Sequence, residues 1–316
     1  MIKMLREWNR RRIEKRRYKQ KAFGKCKWFN RQKGEKKLCV ILAGYKSFLY
    51  DTVFNRIERY IPSDIDVCIV SSGIFDKKLY EIAEKNHWSY LSTERNNVSL
   101  VQNMAIRLHP NAEFIYKIDE DIFMTKNSFE KLMDTYNKAV SDRRYYVGFV
   151  APLIPINGYG HVRILEKLHK EGEYIDRFGE ITYAGFGRFP RPIDQNPDTA
   201  KFFWGGSNHI IPSIDQMNRE FQRDTLRYTT CPIRFNIGCI LFTRDLWNNM
   251  GMYSVPSKGA GMGADEEQIC EYCLNTSQAI IVSENVVVGH LSFSAQNYEM
   301  KKYYENHKDE FMGDER

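Results

Sequence analysis

The chain has 316 residues, of which 42% are hydrophobic, 14% aromatic and 28% charged. That composition excludes an intrinsically disordered protein and leaves room for one large α/β domain or two smaller ones. The net charge of +7 conceals an asymmetry: residues 1–37 hold 16 Lys and Arg against 3 Asp and Glu, while the remainder holds 31 against 37. A mildly acidic body therefore carries a basic arm.

Within the arm, Met1, Met4, Leu5 and Trp8 fall on one face of a possible helix. A basic helix with such a face suits an anionic leaflet, and a basic arm also suits a nucleic-acid backbone. The N-terminus has no apolar core of a secretory signal, and no stretch reaches the roughly 18 apolar residues of a membrane span. The seven cysteines, at 26, 39, 68, 231, 239, 270 and 273, are odd in number and lack a framework spacing. A reducing compartment is the expectation. Cys270-x-x-Cys273 has half the spacing of a zinc site, but no second pair partners it, so two helix-buried thiols are expected.

"LCVILA" (38–43) is a continuous apolar run, as in a strand covered on both faces. "FLYDTVFNRIERYI" has helical spacing and stops at Pro62. "DVCIVSSG" is a second buried strand, "KKLYEIAEKN" a helix, "WSYLST" a third strand, "SLVQNMAIRL" a helix and "EFIYKI" a fourth strand. The alternation predicts a parallel sheet with crossover helices, whose ligands bind beyond the carboxyl ends of the strands. "KNSFEKLMDTYNKAV" continues as a helix and "YYVGFVAPLIPI" as a strand. Residues 157–230 then turn Gly-, Pro-, Arg- and aromatic-rich and read as an irregular insertion holding one helix, "SIDQMNREFQRDTL". "FNIGCILFTRDLW" is a strand leading into a helix, "GADEEQICEYCLN" a helix with an acidic first turn, and "AIIVSENVVVGHLSF" two short strands.

"EFIYKIDEDIFMT" places three carboxylates, Asp119, Glu120 and Asp121, at the end of a buried strand. Like charges this close repel and are costly to desolvate, so the cluster needs a cation. A D-x-D at that edge suits a divalent ion that takes hard oxygen ligands, few from protein, and shares the rest with a diphosphate.

In order and spacing, "LCVILAGYKS", "DVCIVSSG", "NNVSLVQNMAI" and "EFIYKIDEDIF" resemble the nucleotide-sugar half of a GT-A-fold glycosyltransferase of the family 2-like, bacterial surface-polysaccharide kind. "FNIGCILFTRDLWNNMGMY" resembles its acceptor-side strand and helix, and "GADEEQICEYC" the acidic motif that supplies its catalytic base. The similarity covers roughly residues 38–295. It implies a GT-A (Rossmann-like), mostly parallel α/β sheet flanked by helices, with an irregular acceptor-side insertion. The implied divisions are a basic arm at 1–37, a nucleotide-sugar half at 38–150, an acceptor-side half at 151–295 and a tail at 296–316.

By position, the resemblance makes Asp121 the direct ligand of Mn2+ or Mg2+, and Asp119 a ribose contact or holder of a metal-bound water. Tyr45 and Ser71 fall near the nucleotide base, and His290, after the last strand, completes the metal site. Asp265 and Glu266 are the candidate bases; the register favours Glu266, because Ile269 matches the family's apolar position. Trp204, Phe202, Phe203 and Tyr183 are candidates to stack on sugar faces, and Arg188 or Arg191 to meet an anionic group. The implied activity is inverting transfer of a hexosyl or N-acetylhexosaminyl group from a nucleotide-sugar, expected to be a UDP-sugar, to a glycan or lipid-linked hydroxyl. The expected location is cytoplasmic, peripheral on the inner membrane face, with no nucleic-acid partner.

The chain also departs from the family. Ser71-Ser72 stand where Asp residues are common, and "NVSLVQN" is a shortened "N-x-G…A-R-N" without its Arg. Lys46, Arg95 and Lys117 are the available substitutes. Two other classes remain: a nucleotidyltransferase, for which "AGYKSF" is a poor phosphate loop, and a non-catalytic glycan- or nucleic-acid-binding protein.

Overall fold

The computed structural model describes residues 8, 12, 15, 16, 18–184, 191–205 and 209–313. The chain forms two compact units: Met1–Tyr45 with Asp64–Tyr116 and Thr243–Ile269, and Lys46–Ser63 with Lys117–Phe242 and Cys270–Arg316.

The first unit is built on the apolar runs legible in the sequence. Its strands are β1 (Cys26–Phe29), β2 (Lys37–Leu42), β3 (Ile65–Ser72) and β4 (Ser89–Thr93), with the first residues of β5 (Phe114–Asp119). β3 pairs in parallel with both β2 and β4, and every residue of β3 is buried. Full burial explains why "IDVCIVSS" shows no polar alternation. β1 closes the row antiparallel to β4. It lies inside the basic stretch, where charge masks its short pattern. Buried Asp66 accepts hydrogen bonds from the backbone N–H groups of Lys33 at 2.7 Å, Gly34 at 2.9 Å and Glu35 at 2.9 Å, which fixes the turn into β2. Asp76 and Asn97 cap the helices Lys77–Lys85 and Val98–Leu108 through the N–H groups of Leu79 and Leu100.

The second unit carries a mixed sheet. β7 (Tyr146–Leu153) runs parallel to β10 (Gln278–Val287). β8 (Tyr228–Cys231) is antiparallel to β10, and β9 (Cys239–Thr243) is antiparallel to β7. A separate ribbon pairs β6 (Ile122–Phe123) with β11 (Gly289–His290), placing His290 opposite Ile122. The helices Ser128–Asp142 and Ile214–Gln222 pack on this sheet.

Residues 157–230 are more helical than their pattern predicts. Besides Ile214–Gln222 they hold Gly160–Leu168, Glu171–Phe178, Pro192–Gln195 and Pro197–Trp204. Helices this short give little periodicity and depend on tertiary packing. Residues 296–316, expected as a tail, contain the helices Asn297–Asn306 and Lys308–Met312, with Phe311 fully buried. Met1, Met4, Leu5 and Ile13 of the arm lie outside the described residues; Trp8 is described and exposed.

Candidate functional site

The acidic triplet lies in the second unit, at the end of β5. Asp119 closes the strand, and Glu120 and Asp121 form the turn into β6. The acids take different cations. Lys117, 3% exposed, lies 2.7 Å from Asp119 Oδ1 and donates to the Ile237 carbonyl at 2.9 Å. Asp121 is buried and pairs with the Lys46 ammonium. Burial alone would raise the Asp121 pKa; the Lys46 charge and the adjacent His290 overcome it and hold the carboxyl well below the usual carboxylate range.

His290 reaches Asp121 because the β6–β11 ribbon sets the two chain segments side by side. The Leu291 N–H donates to the Asp121 carbonyl at 3.0 Å, and His290 Nε2 lies 3.4 Å from Asp121 Oδ2. On the other side of the ring, His290 Nδ1 is 2.8 Å from the Ile156 carbonyl. A carbonyl can only accept, so Nδ1 carries the proton. With Nδ1 so committed, Nε2 faces a carboxylate oxygen, a position that takes a proton or a cation between the two. A backbone carbonyl on the far nitrogen is also the usual outer partner of a metal-bound histidine.

This donor set fits a divalent cation that takes part of its coordination from a phosphate. Of the three expected ligands, the fold brings Asp121 and His290 into contact and gives Asp119 to Lys117. Among the described residues, no three His, Cys, Asp or Glu side chains converge into a complete protein cage.

The remaining candidates lie in the first unit. The Tyr45 hydroxyl donates to the Ser72 carbonyl at 2.7 Å, and the residue is exposed. The Ser71 hydroxyl is engaged inside the fold, 2.6 Å from the Ile74 carbonyl and 2.7 Å from the Tyr90 hydroxyl. Asp265 and Glu266 share the first turn of the helix Ala264–Asn275, about 100° apart around its axis. Asp265 is buried and accepts from Gln102 Nε2 at 2.8 Å; Glu266 is half-buried. Gln102 is the partner of a candidate residue that sequence reading misses, since an amide inside "SLVQNMAI" looks like an ordinary helix position. The preceding loop needs its glycines: Gly259, Gly261 and Gly263 have φ of +75°, +69° and +77°, and a Cβ on Gly261 would come 3.0 Å from Asn97 Nδ2.

Three of the four expected stacking residues pack inside the fold. Trp204, Phe202 and Phe203 are all buried. Trp204 stands 4.1 Å from Phe311 and 4.9 Å from Phe123 between ring centroids. The Tyr183 hydroxyl donates to Glu166 at 2.7 Å, and Arg191 binds Asp194 and the Tyr183 carbonyl. Arg188 lies outside the described residues. Arg95 donates to the Pro256 carbonyl. Cys270 and Cys273 are buried; Cys270 Sγ contacts the Phe235 carbonyl at 3.4 Å, as expected for packed thiols. A cleft of about 540 Å³ in the second unit, bordered by Lys138, Arg144, Tyr145, Tyr159, Arg227 and Tyr228 among others, includes none of the triplet, Lys46 or His290. Among the described residues no helix is long and apolar enough to cross a membrane.

No family model matches the chain, and no curated protein does. Among solved structures it is similar to a mannosyltransferase, PcManGT from Pyrobaculum calidifontis, in complex with GDP-Man and Mn2+. That match has 14% identity and a TM-score of 0.48, covering 94% of this chain and 66% of the other. It is also similar to residues 1–349 of S. aureus TarS in complex with UDP, with 13% identity and a TM-score of 0.46, covering 87% and 69%. The chain thus spans just under two thirds of the length of the mannosyltransferase.

Proposed function

We propose that this protein is a metal-dependent, inverting glycosyltransferase that moves a sugar from a nucleotide-sugar to a hydroxyl of a glycan or lipid-linked acceptor. The observation that carries the reading is the Asp121–His290 pair, closed by Lys46 at the end of β5, with Nδ1 of the histidine committed to Ile156. Asp121 and His290 would hold Mn2+ or Mg2+, and Asp119 would meet the ribose or a metal-bound water. When bound, the ion supplies positive charge to the departing diphosphate.

Tyr45 offers an exposed ring for the base, next to Ser71 at the end of β3. Gln102 anchors Asp265, which leaves Glu266 on the adjacent position to take the acceptor's proton. The acceptor oxygen then bonds to the anomeric carbon as the bond from that carbon to the phosphate oxygen breaks. The electron pair leaves with the diphosphate and the proton goes to Glu266. A single displacement inverts the anomeric centre. The basic arm suits a location at an anionic cytoplasmic membrane face.

The test is release of nucleotide from a panel of UDP-, GDP- and CMP-sugars, with and without Mn2+, by wild type, Asp121→Ala and Glu266→Ala. Turnover of one donor, lost with EDTA and in Asp121→Ala, is the expected result; Glu266→Ala fails once an acceptor is supplied. Absence of donor binding across the panel, read by thermal shift, would overturn the reading.

A further inference from the structure

We infer that Lys46 is a charge gate on this site, admitting a divalent cation together with a diphosphate and opposing the cation alone. The inference rests on the metal-dependent reading above. Lys46 stands immediately before the 3-10 turn Ser47–Leu49, and its carbonyl accepts from the Leu49 N–H at 2.9 Å. The backbone under the lysine is thereby fixed while its side chain remains a flexible four-carbon stem. Its ammonium rests on Asp121 Oδ2, the same oxygen that faces His290 Nε2. The side chains of Lys46, Asp121 and His290 are 22%, 8% and 9% exposed, so water screens the cluster poorly.

A divalent ion arriving on Asp121 meets the ammonium already there. Asp121, Lys46 and the ion by themselves sum to two positive charges in a buried site. The diphosphate of a nucleotide-sugar carries two negative charges and cancels them. Lys46 can release Asp121 to the metal and turn its donors to a phosphate oxygen. Each ligand then raises the affinity for the other, in a coupling that must be reciprocal. The other two lysine or arginine substitutes are differently placed: Lys117 is on Asp119 and the Ile237 carbonyl, and Arg95 is on Pro256 in the first unit.

The experiment is calorimetric titration of Mn2+ into the whole protein, alone and with UDP or GDP, for wild type, Lys46→Met and Lys46→Arg, with circular dichroism to establish folding. Wild type binds Mn2+ alone weakly, and more tightly with the diphosphate. Lys46→Met binds Mn2+ alone on the order of tenfold more tightly than wild type and loses a similar factor of coupling. It keeps only the coupling that direct metal–phosphate contact supplies. Lys46→Arg behaves as wild type. A folded Lys46→Met protein with wild-type Mn2+ affinity and coupling would overturn the gate and leave the metal site standing. Absence of Mn2+ binding by all three proteins, with or without diphosphate, would overturn the metal-dependent reading itself, and the gate with it.

Discussion

Arg56 and Asp215 form a bidentate ion pair, Nη1 to Oδ1 at 3.0 Å and Nη2 to Oδ2 at 2.8 Å, with the arginine 1% exposed. The same guanidinium donates to the carbonyls of Phe311 at 2.7 Å and Met124 at 3.1 Å. One side chain thus ties the helix Tyr50–Tyr60 to Ile214–Gln222, to the segment after β6 and to Lys308–Met312. Asp215→Asn leaves a buried cation half-paired and is expected to cost about 3 kcal/mol in urea unfolding. Arg56→Met combined with Asp215→Leu removes both charges and recovers part of that loss, the rest staying with the Phe311 and Met124 carbonyls that lose their donor. A double variant no more stable than Asp215→Asn would show that the guanidinium's bonds to the two carbonyls, beyond the ion pair, hold these segments together.

Gly289 lies against Trp204: a Cβ at this position would come 2.6 Å from the ring. Gly289→Ala must therefore displace the indole or the β6–β11 ribbon, at a cost of about 1–3 kcal/mol. His290 is the next residue, so the variant should also weaken the Mn2+ binding proposed for it. Thermal unfolding and Mn2+ titration on the same samples check both effects. Unchanged metal affinity in a destabilised protein would mean that the indole gives way and the ribbon does not.

The first unit is legible in the sequence because its parallel strands are buried on both faces. "LCVILA" and "DVCIVSSG" can be nothing but interior. Asp121 and His290 are both visible as residues at strand ends. The 3.4 Å between them is not, since a ribbon of two residues per strand carries no periodic signal. Sequence leaves Lys46, Arg95 and Lys117 as equal candidates for one role. The fold separates them onto Asp121, a backbone carbonyl and Asp119. Composition also misreads "KFFW": aromatics look alike whether they line a sugar site or, as with Trp204 on Phe311, fill a core.

His161 is buried, with Nδ1 2.9 Å from the Asn157 carbonyl, and burial lowers its pKa to about 4 from 6.5. The folded protein therefore keeps the ring neutral. Above pH 6.5 neither state is protonated and nothing is lost. As pH falls from 6.5 to 4, the unfolded chain binds a proton that the folded one refuses. Stability drops through that window by about 3 kcal/mol in total and then levels off. Burial shifts His109 in the same direction. Denaturant unfolding between pH 7.5 and pH 4 should show a shallower slope for His161→Gln than for wild type.

Six of the seven cysteines are buried and all are free; Cys26 on β1 is exposed. Burial also raises the thiol pKa, to about 12 for Cys239 and Cys273 and about 11 for Cys231. Burial raises the Cys26 thiol too, so exposure is what separates it, and a thiol reagent should label this cysteine quickly in the native protein and the rest only on unfolding. Cys26→Ser should abolish the fast phase. Rapid labelling of Cys270 or Cys273 would reopen the question of a metal role for that pair.

The β6–β11 ribbon also sets an order of events during synthesis. Asp121 leaves the ribosome long before His290, and Arg56 long before Phe311. Until the later segments arrive, the nascent second unit has an unpaired ribbon strand and charged groups whose carbonyl acceptors are not yet made. Pairings of such sequence separation are slow to close. A polypeptide halted before His290 contains every strand of the first unit, yet it lacks one half of the Asp121–His290 pair. The pair on which the proposed chemistry rests is therefore complete only once His290 has been made.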